Sequence, residues 1–246
     1  MREYMQELNS NMSQWFTPAV KWLMYVCIGV FLLQFLLGRM LPLELWFAAS
    51  PLTTLFGLRL WQLVTYAFLH GGPTHLLFNL LCLWFFGMRL EDKWGTERFV
   101  KFVIFTAAGA VLLHLLVATF MYLNRDPDAE MPGLRAQQLY FSIIGLSGVC
   151  YGIMLAFAYY WPDTPIYFWG IFPIKAKILV LILGLLVLFG SMEGEGPIAH
   201  FTHLGGLVFS FIFIKFQSLF DRIPMPRLPG ARRATPYDER GRWRDF

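Results

Sequence analysis

Residues 102–122 read FVIFTAAGAVLLHLLVATFMY, a run of 21 residues without a charged side chain. A helix needs about 20 mostly apolar residues to cross a bilayer, so this run predicts a membrane span. Five further apolar segments surround it, at about Trp22 to Met40, His75 to Leu90, Phe141 to Trp161, Ile174 to Phe189 and Ile198 to Phe220. The sequence therefore predicts an all-α polytopic membrane protein with a bundle of six transmembrane helices.

The composition favours the same class of protein. The 246 residues are 57% hydrophobic and only 15% charged, and the mean hydropathy is +0.53. A soluble domain carries about 25% charged residues. These values exclude a disordered protein, a fibrous repeat and an ordinary cytosolic enzyme. The three cysteines lie inside apolar runs and are interpreted as packing residues rather than as disulfide partners.

Basic residues are distributed unevenly among the connections between the predicted spans. Sixteen of the twenty Lys and Arg lie on one side, and only Arg39, Arg59, Arg125 and Arg135 lie on the other. The positive-inside rule then places both termini in the cytoplasm, which agrees with an even number of spans. The short tails and the basic cytoplasmic side favour a bacterial inner membrane.

Three regions follow from this topology. Residues 1–18 are predicted to form a short cytoplasmic segment, residues 19–220 the membrane domain, and residues 221–246 a basic, Pro- and Arg-rich cytoplasmic tail. The first outside loop, residues 41–69, is long and carries many aromatic residues. It is too apolar for a free loop, so we expect it to lie in the membrane interface.

Polar groups at membrane depth are costly, and their positions therefore carry information. No Asp or Glu falls inside a predicted span, which disfavours a proton-coupled transporter. The five histidines all lie in or beside spans, and four of them cluster at the outer ends of spans two and six: His70, His75, His200 and His203. The fifth, His114, stands alone in an apolar run and is interpreted as a packing residue.

The segment GLSGVCYG, residues 145–152, places Ser147 between glycines at the start of a predicted helix. Gly145 allows the backbone before the helix to turn tightly. A helix N-terminus leaves N–H groups free, and these can bind an oxyanion. A GxSG motif alone is weak, however, and Gly148 with Gly152 is equally typical of close helix packing. Taken alone, this segment favours packing.

A second face of small residues follows His203, in the segment HLGG at residues 203–206. Two such faces let spans four and six approach closely, and a hydrogen bond between Ser147 and His203 requires a close approach. Tyr151 lies one turn from Ser147 and could pack under the His203 ring. In span two, His75 and Asn79 share one helix face, and both can donate hydrogen bonds to a developing oxyanion or form a polar clamp between helices.

Together these motifs resemble the rhomboid intramembrane serine proteases. The resemblance is carried by WQLVTYAFLHGGPTHLLFNLLCLWFFG, then RLEDKWG, GLSGVCYGIM and HFTHLGGLVFS, which extend from Trp61 to Ser210 in the order and spacing of that family. It implies that Ser147 is the nucleophile and His203 the general base of a catalytic dyad. His75, Asn79 and the Ser147 backbone N–H are then the oxyanion donors.

The resemblance also implies supporting roles. Gly145 resembles the glycine before the nucleophile, Tyr151 the aromatic residue on the catalytic histidine, and Gly206 the packing glycine three residues after that histidine. His70 and His200 are further supporting candidates beside these motifs. Family members cleave transmembrane segments of other proteins within the bilayer. They use no metal or cofactor, and nucleic acid is not a partner; the resemblance leaves the oligomeric state open.

The sequence departs from the family pattern at several positions. Gln62 follows Trp61 where the family often has Arg, Thr202 stands where Ala is common, and Ser210 stands where Gly is common. His200 replaces a small or polar residue, so its role is open: it could tune His203, face water or compete for the proton. Two rivals remain, a non-catalytic rhomboid-fold protein that binds membrane helices and a His-based metal site.

Overall fold

The structure of the chain is a computed structural model that describes residues 16–38, 40–124, 142–168, 172–190, 198–226, 228 and 230–234. Most of the predicted N-terminal segment and the end of the tail lie outside the described residues. So do Arg39, Arg125 and Arg135, three of the four basic residues that are predicted to lie on the outer side.

Helices account for most of the described chain. They are α1 Pro18–Leu37, α2 Leu43–Phe47, α3 Gln62–Thr65, α4 Pro73–Cys82, α5 Met88–Trp94, α6 Thr96–Leu123, α7 Ser147–Tyr160, α8 Ala176–Gly190, α9 Ile198–Lys215 and α10 Gln217–Asp221. A π-helical turn at Pro51–Phe56 lies between α2 and α3, and a second at Leu83–Gly87 joins α4 to α5.

Within the described residues, two helical segments are long and apolar enough to cross a bilayer on their own, Pro18–Leu37 and Thr96–Met121. α7, α8 and the segment from His200 to Lys215 are apolar but shorter. The number of six spans and the orientation of the termini therefore stay predictions.

The described chain is mostly helical, as predicted, but a short stretch between α7 and α8 is not helical. Two antiparallel strands lie there, β1 Pro165–Phe168 and β2 Phe172–Lys175, with Pro165 opposite Lys175. A proline in each strand disfavours a helix, and the Ile, Tyr and Phe residues around them favour extended backbone. The fifth helix consequently begins at Ala176 rather than at Ile174.

Two other predicted boundaries also change. The fourth helix begins at Ser147 rather than near Phe141, because the preceding backbone turns at Gly145, where φ is +110°. The sixth helix ends at Lys215 and is followed by the short helix α10 instead of continuing to Phe220.

α6 forms the centre of the bundle. It packs along α9, and α9 in turn packs along α7. Buried aromatic side chains fill the end of this interface, among them Phe99, Phe102 and Phe213. The outer surface is apolar as well: Phe35 is 80% exposed, and Leu186 is 61% exposed. An apolar surface of this extent suits a chain that is surrounded by lipid.

The loop between α1 and α4 is organised around Gln62, whose side chain is fully buried. Its Oε1 accepts hydrogen bonds from the Thr53 and Thr54 hydroxyls at 2.8 and 2.7 Å. Its Nε2 donates to the Trp46 carbonyl at 3.0 Å. These three hydrogen bonds to the Gln62 side chain hold the loop together. Gln62 stands at the position where the resemblance leads us to expect an arginine. The position of the loop in the membrane interface stays a prediction.

Glu91 follows the predicted second span directly, but it does not lie in a loop. It lies in α5 and is fully buried. Its carboxylate accepts hydrogen bonds from the backbone N–H groups of Ala19 and Val20, at 2.9 and 3.0 Å, and from the Thr96 hydroxyl at 2.6 Å. The first N–H groups of a helix have no partners within that helix, so Glu91 supplies acceptors and a favourable charge at the start of α1.

Candidate active site

Ser147 and His203 lie on different helices, and their side chains meet. Ser147 is the first residue of α7, and its Oγ lies 2.8 Å from Nε2 of His203 on α9. The two residues are 56 positions apart in the chain. The Tyr151 ring stacks on the His203 imidazole, with ring centroids 4.4 Å apart and an angle of 12° between the planes. This stacking fixes the plane of the imidazole that faces the serine.

The backbone before Ser147 is held in place by the loop that precedes α4. The Gly145 N–H donates to the Tyr66 carbonyl at 2.9 Å, and Ile143 and Ala49 exchange backbone hydrogen bonds of 2.9 and 3.2 Å. The Tyr66 hydroxyl donates to the Ala107 carbonyl of α6 at 3.0 Å. Sequence reasoning missed these residues, because backbone pairing leaves no pattern of side chains.

Small residues bring α7 and α9 together. A Cβ atom at Gly206 would collide with the Gly148 carbonyl, and a Cβ atom at Gly152 would lie 3.0 Å from the Gly206 oxygen. The Ser210 hydroxyl donates to the Gly152 carbonyl at 2.7 Å. The backbones of α7 and α9 therefore contact each other directly. Because the helices lie this close, the His203 side chain can contact Ser147.

His75 lies beside the nucleophile, on α4. A Cβ atom at Gly145 would lie 2.7 Å from His75 Nε2, so the imidazole rests directly on the backbone two residues before Ser147. Any larger residue at position 145 would displace the ring, and φ of +110° disfavours other residues there as well.

Asn79 follows His75 by one helical turn. Its side chain is 4% exposed, and its Nδ2 has no hydrogen-bond partner among the described residues. Its backbone carbonyl accepts a weak hydrogen bond from Cys150 Sγ at 3.7 Å. Cys150 lies on α7, one turn after Ser147. An amide donor that is buried without an acceptor is costly, and at this position Asn79 Nδ2 is free to donate to a ligand oxygen.

The other two histidines lie at the edges of this site. The His70 and His75 ring centroids are 5.2 Å apart, and the His70 backbone N–H donates to Gln34 Oε1 at 2.9 Å. The His200 and His203 rings are 6.3 Å apart and nearly perpendicular, and the His200 ring packs against Gly190 at the end of α8. His200 therefore neighbours the Ser147–His203 pair without bonding to it.

No described group of three or more His, Cys, Asp or Glu side chains is arranged to hold a metal ion. His203 Nδ1 is buried and has no hydrogen-bond partner within the described part of the chain. The described site thus places a Ser–His pair, without a bonded carboxylate, at the N-terminus of a helix. The fold and site together define a helical bundle that carries a half-buried Ser–His pair between two of its helices.

The comparisons with known proteins agree with this class. Residues 57–218 match the family described as the rhomboid domain. A rhomboid protease GlpG of Yersinia pestis (strain Pestoides F) is 28% identical over 188 residues, which cover 63% of this chain and 66% of that protein. A rhomboid protease GlpG of Klebsiella pneumoniae subsp. pneumoniae is 31% identical over 198 residues, which cover 77% of this chain and 61% of that protein. The chain belongs to the rhomboid family.

Proposed function

We propose that this chain is an intramembrane serine endopeptidase that uses Ser147 as nucleophile and His203 as general base. The observation that carries the proposal is the 2.8 Å contact between Ser147 Oγ and His203 Nε2 at the start of α7. A nucleophile and a base within hydrogen-bond distance, with the base oriented by a third group, are the signature of covalent catalysis. Here the orienting group is the stacked Tyr151 ring.

The reaction proceeds through an acyl-enzyme. Ser147 Oγ attacks the carbonyl carbon of the scissile peptide bond, and its proton passes to His203 Nε2. The same proton then goes to the leaving amine as the C–N bond breaks. A water molecule next attacks the ester carbonyl and gives a proton to His203. His203 passes this proton to Ser147 Oγ as the ester C–O bond breaks, which releases the new carboxyl end and restores the serine.

The negative charge on the tetrahedral intermediate requires donors that are already in place. The Ser147 N–H at the start of α7 has no acceptor within its own helix. Asn79 Nδ2 is a buried donor without a described partner, and the His75 ring lies on the backbone beside Gly145. Together these three groups form the proposed oxyanion site.

The substrates are transmembrane segments of other membrane proteins. A peptide bond in lipid is protected within a helix, so the substrate must unwind locally before Ser147 can reach it. The enzyme is proposed to lie in a bacterial inner membrane, with both termini cytoplasmic, a membrane domain at residues 19–220 and a cytoplasmic tail from residue 221 onward.

A fluorophosphonate probe tests the nucleophile directly, since it reacts with activated serines. We expect it to label the purified protein, and mass spectrometry is expected to locate the adduct on Ser147. The His203→Asn variant should lose labelling, because it lacks the base that activates the Ser147 hydroxyl. Labelling of Ser210 instead would contradict the assignment of Ser147 as nucleophile, and no labelling of a folded wild-type protein would favour a non-catalytic membrane-helix binder.

Replacing Asn79 by alanine is expected to lower kcat about 100-fold and to change KM by no more than about twofold. One oxyanion donor contributes roughly this much in a soluble serine protease, and it acts mainly in the transition state. Steady-state cleavage of a single-span substrate measures both constants. Asn124→Ala is the matched control, since Asn124 is exposed at the end of α6. A raised KM at unchanged kcat would instead assign Asn79 to substrate binding.

A further inference from the structure

A segment of the tail returns to the bundle at the turn between α5 and α6. We call residues 230–234 the strap. The Thr96 N–H donates to the Arg232 carbonyl at 3.1 Å, and the Arg232 N–H donates to Thr96 Oγ1 at 3.0 Å. Thr96 is fully buried, and this pair of hydrogen bonds joins the strap to the first residue of α6.

The turn is shaped to receive the strap. Gly95 has φ of +79°, which disfavours other residues. A Cβ atom at this position would lie 2.8 Å from the Ala234 nitrogen and 3.1 Å from the Arg232 oxygen. The strap therefore crosses directly over the Gly95 backbone, and the absence of a side chain there allows the contact.

A charged pair holds the strap at one point. Arg232 Nη1 lies 3.0 Å from Asp92 Oδ1, and the two side chains are 39% and 37% exposed. Ion pairs at such exposure contribute little to stability, so the pair mainly selects the register of the strap. The neighbouring Arg233 has no side-chain hydrogen bond or ion pair to another described residue.

Thr96 connects the strap to the start of α1. Its hydroxyl accepts from the Arg232 N–H and donates to Glu91, whose carboxylate in turn accepts from the Ala19 and Val20 N–H groups. Hydrogen bonds in such a buried chain polarise and orient one another. Loss of the strap would remove one member of this chain and expose Thr96 to solvent.

We propose that the strap docks on the turn at Gly95, and that this docking restrains the beginning of α1 through Thr96 and Glu91. The segment that docks is the strap itself, and its Arg232 side chain faces Asp92. This inference does not depend on the proposed proteolytic chemistry.

Amide hydrogen exchange at Thr96 tests the proposal, since the first N–H groups of a helix have no intrahelical acceptor. Protection of the Thr96 N–H therefore reports on the Arg232 carbonyl. NMR on protein labelled with ¹⁵N at threonine, alanine and valine would compare a chain that ends at Arg227 with a matched control that ends at Ala234. We expect exchange at Thr96 to be at least about tenfold faster in the shorter chain, and its Tm to be about 2–4 °C lower.

Point variants keep the test decisive if the shorter chain folds poorly. Arg232→Ala keeps the backbone hydrogen bonds to Thr96 and removes only the exposed ion pair to Asp92, so it should accelerate Thr96 exchange about twofold. Arg233→Ala removes an equal charge and should leave the exchange unchanged. Faster exchange at Ala19 and Val20 in the shorter chain is expected from the link through Glu91. Equal exchange at Thr96 in both truncated chains would overturn the docking site, and unchanged exchange at Ala19 and Val20 would overturn the restraint on α1.

Discussion

Replacement of Ser147 by alanine is expected to abolish cleavage of a single-span substrate, with a loss of at least about 1,000-fold in kcat. The variant removes the only atom that is proposed to bond to the substrate carbonyl, Ser147 Oγ. His203→Asn should cause a similar loss because it removes the base that lies 2.8 Å from that oxygen. The two losses should not add, since the residues act as one unit.

The assay uses purified protein in detergent, with the substrate and products separated by electrophoresis. Ser218→Ala is the matched control, because Ser218 is an exposed serine of α10 outside the proposed site. It should retain cleavage. A chelator should have no effect on the wild type. Retained cleavage by Ser147→Ala, or cleavage that a chelator abolishes, would contradict the proposed dyad.

Replacement of Gly206 by alanine is expected to lower both stability and activity. The added Cβ would meet the Gly148 carbonyl, which belongs to the backbone of α7 and cannot move aside as a flexible side chain can. Overpacking of this kind costs about 1–3 kcal/mol. We expect Tm to fall by roughly 4–10 °C. Cleavage should fall at least about tenfold, because separation of α7 and α9 moves His203 away from Ser147.

Gly29→Ala provides the control for this prediction. Gly29 also lies inside a helix, but nothing lies within 4 Å of a Cβ atom placed there. Because alanine favours a helix over glycine, this variant should leave Tm unchanged or raise it slightly. Thermal unfolding and the cleavage assay on both variants make the comparison. Equal behaviour of the two variants would show that close packing at Gly206 does not position His203.

The sequence already contained enough to predict the family. The short motifs around His75, Ser147 and His203 are local patterns. Their order along the chain is visible in the sequence alone. The comparison with the rhomboid domain family confirms that prediction. The predicted roles of these residues are not settled by family membership, and the assays above test them.

Several features depended on contacts that no local pattern encodes. The strand pair Pro165–Lys175 was missed because a strongly apolar composition suggested only helices and loops. The role of Glu91 could not be read from its neighbours, because the N–H groups from which it accepts lie at the start of α1, 71 and 72 positions earlier in the chain. Similarly, nothing near Arg232 predicted that it would bond to Thr96, 136 positions away.

By itself the sequence determined a membrane protein of the rhomboid family, with nucleophile, base and oxyanion candidates in a recognisable order. Hydrophobicity and motif spacing are properties of neighbouring residues, so they can be read directly. Only the tertiary structure decided that the Ser147 and His203 side chains lie 2.8 Å apart, that His75 rests on Gly145, and that the tail crosses Gly95. These distances arise where backbones from distant parts of the chain pack together, and such packing is fixed by the whole bundle.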